Sequence, residues 1–467
     1  MKKFFLVAFI ALGIGFTACD DNEDLARVGV IEDSQPSAVN QAKGFYVANE
    51  DWFGHDYGTV NYFKVNENDY DVVYRAYRTA NEDEILGTTT QFGTTWGDNI
   101  YLVSKQNNRL VVADANTLKK KAVFTDIGGD GRSFVGVDDK LGYIGHSNGI
   151  RQFDITNLQL GNPVAGIEGQ MGALCYAEGR VFALTSTKVY VIDIATNTVE
   201  KMLEGSFNTL TRSKDGIVWI ATADKFLKVN PLTLEEESMD YPGGVKVGSP
   251  WFAWNAGSLC ASTQKNVLYW GKGSSWSSTG IVKYDIDTQE VNTEFYTLGK
   301  HENKSLSFYG AGFRVDPITD CVVATVARGY ENYNWVYIIN PDGSLKKEID
   351  VLGGGESNTD GYYWFPAVPF FEDANTPEIL INQILVAPGE TKTFDLKEKI
   401  VDADNTSASI IRKVEFAENN LVTYSLKEGI LSVTAKENAG NTECKVIAIS
   451  NGKKVEKKVR VDVGFDK

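Results

Sequence analysis

The sequence is poor in the residues that usually announce chemistry. Its 467 residues include only three histidines and five cysteines. His55, His146 and His301 show neither HxH nor i, i+4 spacing, so no protein metal site is implied. Cys175, Cys260, Cys321 and Cys444 lie far apart, without CxxC or metal-ligand spacing, and read as buried free thiols. There is no G-x-S-x-G, H-E-x-x-H, Walker A or strand-to-helix G-x-G-x-x-G, and Gly353-Gly354-Gly355 reads as a turn. Carboxylates are abundant, but no glycosidase pair stands out among them. The expectation is a non-enzymatic chain with no catalytic cofactor and no bound metal. Basic residues are also short, 46 against 62 acidic, for a net charge of −16. Such a surface repels phosphate backbones and argues against nucleic acid. Prolines number 11 against 44 glycines, which fits many tight turns between short strands.

Long apolar runs are missing too. The one candidate, Phe4–Phe16, is too short for a membrane helix, which needs roughly 20 apolar residues. Preceded by Lys2 and Lys3 and followed by Thr17-Ala18-Cys19, it reads as a signal peptide over residues 1–18. The Phe16-Thr17-Ala18-Cys19 stretch resembles a bacterial lipobox, whose cysteine is acylated and becomes the first residue of the mature chain. Phe16 departs from the more usual Leu, and an ordinary secretory signal with an incidental cysteine is the alternative. Residues 19–42 are polar and aperiodic and read as a lipidated cysteine followed by a flexible tether.

From Gly44 onward short β-type runs repeat. Each copy has an apolar strand ending in Asp or Asn, a turn, and another strand, as in RLVVADANTLKKKAVF from Arg109 or KVYVIDIATNTVEKML from Lys188. The markers are Asn66, Asp114, Asp154, Asp193, Asn230, Asp285 and Asn340, spaced by 48, 40, 39, 37, 55 and 55 residues. Asp or Asn there bonds its own backbone and favours the turn. Four strands per unit, seven times over, predicts a seven-bladed β-propeller over residues 43–372, with Tyr362–Phe371 supplying the missing inner strand of blade one. The WD40 signature is absent, and the V-x-D-x-x-T form is similar to YVTN/YncE-type propellers. A solenoid or sandwich is the alternative. Past Thr376-Pro377, alternating runs such as ILSVTA and KVRVDV predict a small immunoglobulin-like β-sandwich over 376–467, without a core disulfide pair. Asp402 and Asp404 form either a polar loop or a calcium contact.

In a four-stranded blade, loops between strands two and three and loops between blades emerge on one face. Here those loops are long and aromatic, and long loops in compact domains are usually functional. They carry Trp52, Phe53, His55 and Tyr57; Trp251, Trp270 and Trp276; Tyr309; Arg328, Tyr330, Tyr333 and Trp335; and Tyr363 and Trp364. Opposite lie Gln106, Asn107, Asn108 and Arg109, with Arg132, His146 and Asn148. Trp and Tyr give large flat contacts at small entropy cost. Beside amides and guanidiniums they suit a large, flat, amide-bearing ligand. Each ring alone could instead pack beneath its own loop.

The stretch GFYVANEDWFGHDYGTVNYF, residues 44–63, resembles the opening blade of the BtuG-type surface lipoproteins of Bacteroides, and NEDWFGHD is its most specific part. The resemblance covers about residues 44–371 and leaves the sandwich outside it. It implies a seven-bladed propeller that captures vitamin B12 or related corrinoids on the loop face and passes them to a BtuB-type, TonB-dependent outer-membrane transporter. The acidic Asp20, Asp21, Glu23 and Asp24 after Cys19 resemble the surface-export signal of such lipoproteins and imply an anchor at the outer membrane facing the exterior. A surface glycan-binding lipoprotein is the alternative, and a propeller lactonase or lyase acting through His146 or Arg132 is a third.

Overall fold

The computed structural model describes residues 31–464 apart from 52–55, 68, 249–256, 274–277, 330, 332 and 352–364, and gives residue 311 for its backbone alone. The chain is almost wholly β. Among the described residues of the repeat region, seven four-stranded antiparallel sheets follow one another. Their inner strands are Pro366–Phe371, Thr88–Trp96, Gly131–Gly136, Leu174–Ala177, Phe207–Arg212, Cys260–Ala261 and Ser307–Val315. Each touches the next, and the last touches the first. The sheets therefore stand as blades around a central channel.

The burial pattern explains the architecture. A middle strand lies between neighbouring sheets, so both its faces are covered; Leu110 to Ala113 are all 0% exposed. An outermost strand keeps one face in water and alternates, as Thr198–Glu204 does. Between blades five and six the contacts are aromatic, with Phe226 edge-on to Trp219, Tyr241 and Trp270. Edge-to-face rings of this kind contribute about 0.5–1.5 kcal/mol beyond the area they bury.

The turn markers act as their chemistry dictates. Asp114 Oδ1 accepts from the backbone N–H groups of Asn116 and Thr117 and from the Thr117 hydroxyl. Asp154, Asp193, Asn230 and Asp285 accept from backbone N–H groups two or three residues on. Ring closure is a strand swap across the whole domain. Pro366–Phe371 runs antiparallel to Gly44–Asn49, aligning Phe45 with Phe371 and Tyr46 with Phe370.

Residues 383–463 form a sandwich of a four-stranded and a three-stranded sheet, with Ile384, Leu431, Val433, Val446 and Val461 in its core. It sits on the propeller face opposite the long loops. Arg212 Nε donates to Thr406 Oγ1 at 2.7 Å, Gln264 Nε2 to the Ala403 carbonyl at 2.7 Å, and the Gly97 N–H to the Asn451 carbonyl at 2.6 Å. Lys397 pairs with Glu178 at 2.9 Å. Gly452, at φ +78°, lies so close to Trp96 that a Cβ would come within 2.6 Å of the indole. Residues 31–42, expected to hang free as part of the tether, instead lie hydrogen-bonded along residues 375–383, which lead into the sandwich. Their partners lie more than 300 residues away, so no local pattern reveals them. Among the described residues, no helix is long and apolar enough to cross a membrane.

Candidate functional site

The loop face is built by the blade loops that the topology brings together on the side away from the sandwich. Between blades one and two, Tyr57, Ile85, Gln106, Asn107, Asn108, Arg109 and Thr125 line an open cleft of about 500 Å³. Its base is fixed by Arg78, whose Nη2 donates to the Tyr57 carbonyl at 3.1 Å and pairs with Asp56 at 3.5 Å. Asn108 donates to the Ile85 carbonyl at 3.0 Å, and Arg109 pairs with Asp130 at 3.6 Å. Three of the predicted contact residues, Tyr57, Asn108 and Arg109, thus share one cleft.

Blade three adds His146, Asn148 and Arg132. The His146 Nδ1 accepts the Asn148 N–H at 3.2 Å, which leaves Nε2 to carry the ring proton. Burial, with Arg151 nearby, pushes the imidazole down to about 4, so the ring is neutral at physiological pH. Gly128, at φ +105°, packs against it; a Cβ there would lie 2.8 Å from the ring. Arg132 is buried and donates to Gln170 Oε1 at 3.0 Å. Burial weakens its hold on its proton, with Asp130 opposing. Asn148, Gln106, Asn107 and Gln170 are exposed.

Across the face, a compact ion cage tops blade seven. Arg328 pairs with Glu302 at 2.5 Å and with Glu331 at 2.6 Å, approaches His301 Nδ1 at 2.9 Å, and lies 3.7 Å over the Tyr333 ring. The rings of His301, Tyr333 and Trp335 pack together beside it. Arg328 and Trp335 are each 5% exposed. Both are enclosed within the cage, where Tyr333 lies against the Arg328 guanidinium. His146 and His301 sit on different blades, and among the described residues no group of His, Cys, Asp or Glu is arranged to hold a metal.

The channel mouth between these regions is bridged by residues that the sequence motif contains but that motif reading did not single out. Glu50 takes Gln91 Nε2 of blade two at 3.3 Å and the Tyr309 hydroxyl of blade seven at 3.2 Å, and its N–H bonds the Phe365 carbonyl. It therefore ties three blades together where the ring closes. Tyr309, predicted as a ligand contact, is 6% exposed and spends its hydroxyl on this bridge. Asp51 beside it is fully buried at φ +56°. Burial pushes its carboxyl up to about 7.

One predicted contact belongs elsewhere. Trp270 is 0% exposed, wedged against Phe226, with Nε1 bonded to the Val245 carbonyl at 3.0 Å. It sits at the end of a strand, one step before the loop, on the face covered by blade five. Trp52, Phe53, His55, Trp251, Trp276, Tyr330, Tyr363, Trp364 and Cys19 lie outside the described residues.

The lower channel forms a second cavity of about 430 Å³, lined by Trp96, Tyr176, Arg212, Arg314 and Phe370 and floored by Asp404–Thr406 of the sandwich. These channel residues were missed because they lie on inner strands, where nothing in sequence separates channel-facing from blade-facing positions. Asp404, read from the sequence as a polar loop residue or a calcium contact, stands at this floor. Its carboxylate accepts from the Ala374 and Asn375 N–H groups and the Asn375 side chain at 3.0–3.1 Å, which makes it part of a domain junction. All four described cysteines are free and buried.

Among solved structures, the chain is similar to a quinoprotein alcohol dehydrogenase-like protein of Bacteroides thetaiotaomicron, at 15% identity and a TM-score of 0.53, over 71% of this chain and 78% of that one. Extracellular domains of a hybrid two-component system and of a one-component system from the same organism match at 13% and 11% identity, with TM-scores of 0.43 and 0.42. They span 93% and 86% of this chain, and 56% and 60% of theirs. The first likeness supports the propeller fold and nothing about activity. No curated protein matches the chain. The profile of the family described as a domain of unknown function, DUF5074, matches residues 43–372, the whole ring of blades, and the chain belongs to that family.

Proposed function

We propose that the chain is a binding protein rather than an enzyme, held at the outer surface of the outer membrane through Cys19. Its loop face would capture vitamin B12 or a related corrinoid and hand it to a TonB-dependent transporter. The observation that carries this reading is the cleft in which Gln106, Asn107, Asn108 and Arg109 gather beside Tyr57, with Asn148 and Gln170 exposed on later loops of the same face. A corrinoid presents a broad ring edged with amides, which such groups can bond while an aromatic side chain covers part of the ring. Loops fixed on blades are already ordered before binding, which removes much of the ordering cost. Isothermal titration with cyanocobalamin tests the reading. Micromolar or tighter binding is expected, and its absence would sink it.

The open cleft at Tyr57, with amides and one guanidinium around a single ring, also fits one sugar residue of a surface glycan. Glycan-array binding without cyanocobalamin binding would favour that second reading.

A further inference from the structure

The chain leaves the propeller on the sandwich side and travels away from the loop face. Lys43 and Gly44 donate their N–H groups to Glu372 at 2.7 and 3.1 Å. Three residues back, the Asn40 N–H donates to Asn375 Oδ1 at 2.9 Å, and Asn375 Nδ2 returns a bond to the Asn40 carbonyl. The Ser37 N–H reaches Glu378 at 2.8 Å, and the Ser34 N–H the Leu380 carbonyl at 2.7 Å. The Ile31 N–H ends the series on Gln383 Oε1 at 2.8 Å. Asp33 adds an ion pair to Lys399 at 2.8 Å. Each step back along the first segment is a step forward along the second, so residues 31–43 and 372–383 run antiparallel, side by side.

Direction follows from the sandwich. One of its two longest strands starts at Lys453, which bonds the Asp373 carbonyl at the junction, and ends at Val463. Gln383, the partner of Ile31, pairs in register with Arg460 of that strand. Seven residues at about 3.3 Å each put Ile31 roughly 23 Å beyond the junction. The loop face lies on the other side of the propeller.

We propose that the sandwich and the segment 31–43 together form a stalk, that the sandwich end faces the anchoring membrane, and that the loop face points away from it. This rests on the reading of Cys19 as the anchor. Binding from the surrounding medium is then built into the resting orientation. Delivery to a transporter in the same membrane then requires the loop face to turn toward that membrane.

The test separates orientation from lipidation. A chain beginning at residue 20, with an amino-terminal hexahistidine tag, is held on nickel-chelating liposomes that carry an acceptor dye on their headgroups. Donor dye is placed by Glu168→Cys on the loop face or Glu437→Cys at the far end of the sandwich; both positions are exposed, and the four remaining cysteines are buried. Energy transfer is expected to be at least threefold stronger from position 437 than from 168. Adding Asn375→Ala and Glu378→Ala, which frees the segment, should bring the two signals together. Equal transfer in the parent chain, or stronger transfer from position 168, would overturn the proposal. Mass spectrometry of the amino terminus of the mature protein from its own membrane independently tests whether Cys19 is acylated.

Discussion

Ring closure by Pro366–Phe371 makes the propeller depend on a few residues at its far end, and Phe370→Ala measures that dependence. Phe370 is 5% exposed and its ring stacks on Tyr46 at 5.1 Å. On its other side lies Gly93 of blade two, so close that a Cβ there would come within 2.3 Å of the ring. The side chain therefore joins blade one to blade two at the seam. Removing a buried phenyl ring costs about 3–5 kcal/mol when the surroundings cannot collapse. Unfolding a ring of this size changes entropy by about 0.7 kcal/mol/K, so a loss of about 4 kcal/mol lowers its midpoint by about 6 °C. Differential scanning calorimetry should show the larger, propeller transition falling by that amount. A shift below about 2 °C, or one confined to the smaller sandwich transition, would refute the seam as described.

Other consequences can be checked separately. Asp373 sits 3.1 Å from Lys453 but beside Asp404, and burial followed by the Asp404 charge pushes its carboxyl up to about 8. Because the unfolded carboxyl ionises near 4, the stability tied to this proton is complete below that pH and is lost as pH rises through about 8. Thermal midpoints at pH 5, 7 and 9 should fall more steeply for the native chain than for Asp373→Asn, and parallel curves would contradict the assignment. Gly128→Ala forces a side chain into a left-handed backbone against His146 and should cost about 1–3 kcal/mol in urea unfolding. Tyr57→Ala and Arg109→Ala should each weaken cyanocobalamin binding about tenfold, or about 1.4 kcal/mol, while Trp270→Phe, in the core, leaves titration-measured affinity within twofold.

The periodic part of this molecule was legible because its physics is local. An Asp or Asn that accepts its own downstream N–H groups marks a turn wherever it stands, and seven such markers predicted seven blades; the seam strand followed from the blade left one strand short. What stayed hidden depends on contacts between distant residues. Trp270 and Tyr57 look alike in sequence, both aromatic and next to a turn, but one is covered by blade five and the other lies open. Arg328 and Arg109 were equivalent candidates until Glu302, Glu331 and Tyr333 closed around the first. Residues 31–43 lack any apolar period because their order comes from hydrogen bonds to residues 372–383. The docking of the sandwich under the channel uses single polar side chains, such as Arg212 and Gln264, that carry no motif.

The proposed ligand site is the loop face, and not the channel floor or the sandwich. Hydrogen–deuterium exchange of the full chain with and without cyanocobalamin tests it directly. Slowed exchange is expected in residues 50–58, 106–109, 146–148 and 328–334, with residues 402–409 and the rest of the sandwich unchanged. Protection confined to the sandwich or the channel floor, or no protection at saturating ligand, would contradict it.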